Sequence, residues 1–256
     1  MKRLGCKSFE SAPRAKELST KIFSSPANLR NCPTSVDWHA ALNLHNNYNA
    51  LGNDKYGDCV EAGVLRLVQL REANAERSSW QPTTDLAINL YSQWSGFNPQ
   101  TGANDNGTDI SVMQERCATD GISIGIDLDV MLPFDVPTDT NNLNLITYNC
   151  GGVGLCWALP KSAEKMTDVW DVAGDLNLPE NIPGSWGGHF TCSGKYDSNS
   201  RFIITWGYEV KVTPAFEAAY LVAATGALSR RWFKANGMAP SGLDWAQIEA
   251  IRSKFE

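Results

Sequence analysis

The sequence predicts an α+β domain, helical in its first half and stranded in its second. Three observations predict it: a strong helical repeat that starts at residue 59, two capped helical segments before residue 121, and short β-prone runs separated by turn residues between 122 and 224. The 256 residues are 43% apolar and include nine Trp and nine Phe, enough to bury a substantial core. Residues 33–225 read as one domain, with an N-terminal arm at 1–32 and a C-terminal helical extension at 226–256.

The arm mixes charges, Ser and Pro without sustained periodicity, and is expected to run over the domain surface with one short helix near 15–22. Its start, Met1-Lys2-Arg3-Leu4-Gly5-Cys6, resembles a lipoprotein signal. No apolar stretch precedes the cysteine, and Ser8, Glu10 and Arg14 follow it, so no export signal is expected. The arm is expected to be retained. Residues 33–56 are rich in Asn and turn formers and lead into Gly52-Asn53-Asp54-Lys55-Tyr56-Gly57-Asp58. Next comes the clearest helix, in which Val60, Val64, Leu67, Val68 and Leu70 fall at helical spacing and 71–77 is charged. Asp58 stands at its capping position and Cys59 in its first turn. A second helix is expected at 84–94, capped by Thr83 or Thr84 with Asp85 behind it, and a third at 109–119, stopped by Gly121.

The runs 122–128, 144–148 and 153–159 read as strands. Residues 160–186 carry Glu164, Asp168, Asp171 and Asp175 before a stretch of Pro and Gly, and read as a long surface loop of the kind that often carries function. A hairpin follows, with strands at 188–194 and 202–206 around a turn at 197–200. Gly207 ends the second strand, Thr213-Pro214 starts a short helix, and 220–224 reads as a last strand. Two C-terminal helices are expected at 228–236 and 244–255.

Net charge is −6 with acidic and basic residues interspersed, so no basic surface for nucleic acid is visible. No stretch approaches the roughly 18–20 apolar residues that span a bilayer, and a soluble, cytoplasmic chain is expected. The seven cysteines, at 6, 32, 59, 117, 150, 156 and 192, form no CxxC and no Cys/His metal spacing, which favours reduced and mostly buried thiols over disulfides, a metal or thiol exchange. No cofactor is expected: glycine-rich phosphate loops are absent, and so is the G-x-S-x-G elbow of serine hydrolases.

A cysteine in the first turn of a helix meets unpaired N–H groups and the positive end of the helix dipole, which favour thiolate over thiol. Cys59 is placed in this way. A base is needed beside it, and the chain offers His39, His45 and His189. His39 and His45 lie in the Asn-rich loop, where exposed histidines are common. His189 follows Trp186-Gly187-Gly188 at the start of a strand, and the two glycines let a backbone or a substrate approach closely.

In this order the features resemble the papain superfamily of cysteine peptidases, over roughly residues 33–225. Pro33-Thr34-Ser35-Val36-Asp37-Trp38 is similar to the opening of the mature domain. Gly52 through Cys59 is similar to the oxyanion loop and nucleophile, Gly187-Gly188-His189 to the base strand, and Ile203-Ile204-Thr205-Trp206-Gly207 to the next strand. The combination of Gly-Asn-Asp, Gly-Asp-Cys, Pro-Gly-Ser-Trp-Gly-Gly-His and Thr-Trp-Gly is closer still to uncharacterised bacterial and phage proteins, and residues 238–244 resemble theirs too.

The resemblance implies a nucleophile helix packed on an antiparallel, β-barrel-like half. It implies that Cys59 attacks a carbonyl carbon, that His189 moves the proton, and that Asn53 with the Cys59 N–H holds the oxyanion. Trp186, Gly187 and Gly188 would line the substrate. At the family's third catalytic position, which orients the histidine, stand Thr205 and Trp206, with Asp197 and Glu209 as further candidates. The charge of Asp58 is expected to raise the pKa of its neighbour thiol. The implied function is hydrolysis or acyl transfer at a peptide or amide bond through a thioester, with a peptide or protein substrate. The alternative is a catalytically silent papain-like fold that binds partners, among them phage virion proteins, with the virion as its location.

Overall fold

The computed structural model describes residues 2–24, 29–44 and 47–252, without the side chains of 250–252. In chain order these form β1 (Cys6–Ser8), α1 (Pro13–Ser24), β2 (Val36–Asp37), α2 (Cys59–Asn74), α3 (Thr84–Ser95), β3 (Thr108–Asp109), α4 (Ile110–Thr119), β4 (Ile122–Ile124), β5 (Asp127–Asp129) and β6 (Leu132–Val136). They continue with α5 (Thr140–Cys150), β7 (Val153–Leu159), β8 (Val169–Trp170), β9 (Gly187–Tyr196), β10 (Arg201–Thr205), β11 (Tyr208–Val212), α6 (Pro214–Tyr220), β12 (Leu221–Leu228) and α7 (Trp245–Arg252).

The α+β class stands. One sheet runs β6-β12-β7-β9-β10-β11-β8, with β2 added to β9, and all its pairs are antiparallel except β11 with β8. Among the described residues the sheet is open, with β6 and β8 at its ends, rather than a closed barrel. Pro133 explains why β6 escaped the sequence reading: a residue without an N–H suits only an edge strand. The hairpin β4–β5 stands apart.

The helix α2 is more buried than the amphipathic reading implied. Every residue from Cys59 to Glu72 except Ala62 is buried, Arg71 and Glu72 included, so α2 is a central helix packed between the sheet and α3 and α4. Thr83 caps α3 through the Leu86 N–H at 3.1 Å. Residues 144–148 are helical, not stranded. The Asp139 side chain accepts from the Asn142 N–H at 3.0 Å, Gly151 ends α5 at φ 72°, and Leu143, Ile146, Thr147 and Cys150 face inward at helical spacing. Caps and period outweigh the β propensity of Ile146 and Tyr148.

Residues 228–236 form no long helix, because β12 continues to Leu228 opposite Leu132 and is followed only by a single turn at Arg230–Trp232. That strand passes through residues 225 and 226 unbroken. The arm is not a surface feature either. Leu18 and Ile22 of α1 enter the main core with Phe134 and Val136, and Cys6 joins the core around α2. His45 lies outside the described residues.

Candidate active site

Two glycines bring the cysteine and the histidine strand together. Gly63 stands one turn after Cys59 on the same face of α2, and a Cβ there would lie 2.5 Å from the Phe190 ring. On the other side, a Cβ at Gly154 would lie 2.3 Å from the same ring. Phe190 is thus clamped between α2 and β7, and its backbone N–H donates to the Cys59 Sγ at 3.4 Å. His189, the preceding residue, is held at the same place in β9 opposite Trp157.

The ring of His189 is fully buried. Its Nε2 lies 2.7 Å from Thr205 Oγ1, while its Nδ1 has no hydrogen-bond partner. Of the candidates for orienting the ring, only Thr205 makes this contact. Glu209 is engaged by His39 at 2.6 Å and by Lys195 at 3.2 Å, and Asp197 accepts the Asn199 N–H in an exposed turn. Trp206 stacks on His189 with centroids 4.4 Å apart and planes 15° apart. Trp206 and Gly207, at φ 48° and 90°, form the two-residue turn that joins Thr205 to its partner Tyr208. Positive φ at both central positions matches the right-handed twist of the flanking strands, at the cost of strain for a bulky Trp. Trp186 packs on Trp206 at 5.8 Å.

Asn53 is buried and lines the same narrow cleft as Cys59, Thr205 and Trp206, where its Nδ2 donates to the Tyr56 carbonyl at 3.2 Å. Asp58 is the first residue before α2 but gives no side-chain cap. No well-formed hydrogen bond reaches its carboxyl oxygens, although the Asn53 amide lies close enough to offset part of the upward shift in its pKa. Burial, and then the charge of Glu61, push Asp58 up to about 8, and burial pushes Glu61 up to about 7. At neutral pH the Asp58 charge is therefore mostly absent, and burial rather than Asp58 is the main reason that the Cys59 thiol lies well above its ordinary value. Burial, with a smaller contribution from Lys2, pushes His189 down to about 3. The Cys59 thiol and the His189 imidazole therefore both rest neutral.

The N-terminal arm runs along the His189 strand and the loop before Cys59. The Arg3 carbonyl accepts from Trp206 Nε1 at 3.0 Å, and the Gly5 carbonyl accepts from the Thr108 N–H at 2.8 Å. A Cβ on Gly188 would stand 2.1 Å from the Cys6 carbonyl oxygen, and one on Gly187 would stand 3.0 Å from the Leu4 side chain. Lys2 lies over the Trp206 ring at 4.8 Å and donates to the Met166 carbonyl at 2.6 Å. Gly187 and Gly188 thus pack against Leu4 and Cys6 of the same chain, and Trp186 packs against Trp206.

The sequence reading missed this arm and missed Phe190. The cluster of glycines at 5, 57, 107, 187 and 188 was the available signal, since glycine is favoured where backbones meet closely. His39 differs from its expected exposure: it is 4% exposed, accepts the Gly194 N–H on Nε2 at 2.9 Å and donates from Nδ1 to Glu209. All seven cysteines are free, and only Cys32 is not buried. Among the described residues no group of His, Cys, Asp or Glu is arranged to hold a metal, and no helix is long and apolar enough to cross a membrane.

No family model matches the chain, and no curated protein matches it. Solved structures do. Xylellain, a cysteine protease from Xylella fastidiosa, is similar over 89% of this chain and 97% of its own, with a TM-score of 0.58 and 10% identity. The Carica candamarcensis cysteine protease CMS1MS2, in complex with E-64, is similar over 76% of this chain and 98% of its own, with a TM-score of 0.52 and 11% identity. The digestive procathepsin L 3 of Tenebrio molitor larval midgut is similar over 86% and 76%, with a TM-score of 0.54 and 13% identity. At such identities the likeness is one of architecture: the chain has the fold of the papain-like cysteine proteases.

Proposed function

We propose that the chain is a cysteine hydrolase of peptide or amide bonds, with Cys59 as nucleophile and His189 as its base. The observation that carries this reading is the division of labour on the imidazole. Nε2 is tied to Thr205 while Nδ1 is left without a partner, and the N–H of the next residue rests on the Cys59 sulfur. With the Nε2 proton donated to Thr205, Nδ1 presents a lone pair for the thiol proton.

In the proposed reaction the Cys59 proton moves to His189 Nδ1 and the sulfur bonds to the substrate carbonyl carbon. The oxyanion accepts from the Cys59 N–H and from the Asn53 amide, which turns from the Tyr56 carbonyl. The C–N bond then breaks, the leaving amine takes the proton from His189, and a thioester remains. Water, deprotonated by His189, hydrolyses the thioester and restores the thiol. Preorganised oxyanion donors of this kind typically contribute about 100–1,000-fold each. Trp206 positions the ring by stacking, and Thr205 fixes its orientation.

The reaction requires residues 2–6 to move, since Lys2 and Arg3 lie on Trp206, Gly5 on Gly57 and Cys6 on Gly188, around the buried His189. The arm as a whole is retained, because α1 supplies Leu18 and Ile22 to the core. The test is mass spectrometry of the intact protein after E-64 treatment, combined with cleavage of a broad peptide library. One adduct and peptide cleavage, both lost in Cys59→Ala, are expected. The absence of adduct and cleavage, even in a folded variant with a displaced arm, would leave a silent papain-like fold that serves as a binding component.

A further inference from the structure

We infer that the cleft selects peptides at glycine, and that Asp105 and Tyr91 are the positioning residues that enforce the selection. Calling the selected peptide a substrate rests on the hydrolase reading above; the selection itself does not. The arm reveals the shape of the slot. At Gly5 the chain passes so close to the nucleophile loop that a Cβ would stand 1.7 Å from the Gly57 carbonyl oxygen and 2.3 Å from its carbon. Gly5 does not adopt positive φ, so the exclusion of a side chain is steric rather than conformational. On the other wall, a Cβ at Gly107 would stand 2.1 Å from the Gly5 carbonyl oxygen. The slot is therefore as narrow as a bare backbone. It lies two residues before Cys59 on one side, and the next arm residue, Cys6, meets Gly188 directly before His189.

A backbone wall rejects a methyl group only if it cannot yield, and this one is braced. Asp105 Oδ1 accepts both the Gly57 N–H at 2.7 Å and the Tyr91 hydroxyl at 2.9 Å, and the Tyr91 oxygen accepts the Gly107 N–H at 2.8 Å. Both walls are thus tied to one carboxylate–phenol pair. Tyr91 is itself fully buried and stacks on Phe97 at 4.7 Å. The bonds from Trp206 Nε1 to the Arg3 carbonyl and from the Thr108 N–H to the Gly5 carbonyl read no side chain, whereas Lys2 and Leu4 are held by theirs, on the Met166 carbonyl and beside Gly187. Specificity for glycine therefore comes from the slot, and the substrate class is a peptide with glycine beside the bond attacked, preceded by an apolar residue in the place of Leu4.

The test uses the full chain carrying Gly5→Ala, whose added methyl group displaces its own arm, and fluorescent peptides Arg-Leu-Gly-Ser-Lys and Arg-Leu-Ala-Ser-Lys in binding anisotropy. The glycine peptide is expected to bind about tenfold tighter or more, a factor that corresponds to about 1.4 kcal/mol. Adding Tyr91→Phe, which frees Gly107, is expected to bring the ratio close to one. If circular dichroism shows that Gly5→Ala does not fold, Leu4→Ala loosens the arm by removing bulk instead. Equal binding of the two peptides by a folded variant, or binding of neither, overturns the inference. Selective binding without cleavage overturns the hydrolase reading and supports the glycine slot; cleavage without preference for glycine does the reverse.

Discussion

The two sides of the cleft solve different problems. On the histidine side the surroundings are mainly aromatic, with Trp206 stacked on His189 and Trp170 at 6.4 Å, a single hydroxyl fixes the ring, and Lys2 over Trp206 adds a positive charge. On the cysteine side the helix start is ionisable and unsatisfied: no well-formed hydrogen bond reaches the Asp58 carboxyl, and Glu61 uses one oxygen on Thr108 while the other has none. The His189 ring is held mainly by shape. The protonation state of Cys59 is held by burial and by neighbouring carboxyl groups. Mutations on the two sides should therefore read out differently, in geometry on one and in titration on the other.

The largest effect is expected at the oxyanion. Asn53→Ala should lower kcat/KM by about 100–1,000-fold with little change in KM, and Asn53→Gln should restore part of it. Steady-state kinetics on any cleaved peptide checks this, and an unchanged kcat would remove Asn53 from the site.

A smaller effect is expected on the shape-held side. Thr205→Val should lower kcat by about tenfold, as expected for loss of an orienting hydrogen bond worth about 1–1.5 kcal/mol, and Thr205→Ser should rescue it. If Val and Ser variants behave alike, Thr205 fills space and the stacked Trp206 alone orients the ring.

The charge-held side should show in stability. The folded pKa values of Asp58 and Glu61, about 8 and about 7, lie above the ordinary carboxylate range, so the folded chain keeps protons that the unfolded chain releases. Their contribution is fully present below the unfolded values near pH 4 and is lost above them, for Glu61 by about pH 7 and for Asp58 by about pH 8, with a slope of at most about 1.4 kcal/mol per pH unit for a group ionised only in the unfolded chain. Asp58→Asn should flatten part of this fall in urea midpoints measured from pH 5 to 8. A slope identical to wild type would contradict a neutral Asp58.

Much of this was legible in the sequence. The helix behind Cys59 and the hairpin that carries His189 follow from local pattern, because helical period, caps and turn residues act over a few positions, whereas Thr205 and Trp206 were singled out only by the resemblance to papain-like enzymes. What was not legible is set by distant contacts. That Thr205 rather than Glu209 orients His189 depends on His39 claiming Glu209 across 170 positions. The neutrality of Asp58 depends on burial that periodicity does not measure. The arm in the cleft depends on five glycines far apart in sequence, none of which means anything alone. The helix at 140–150 was legible in principle from Asp139 and Gly151, and was hidden by a short β-prone run between them.

The central proposal is that Cys59 and His189 act together and are kept neutral while the chain's own residues 2–6 stay in place. The rate of Cys59 alkylation by iodoacetamide at pH 6–7, read by peptide mass spectrometry in wild type, Gly5→Ala and Gly5→Ala with His189→Ala, tests it most directly. The account predicts slow labelling in wild type, labelling faster by about 100-fold or more at Cys59 in Gly5→Ala, and loss of that gain in the double variant. Fast Cys59 labelling in wild type, or a gain that survives removal of His189, would contradict it.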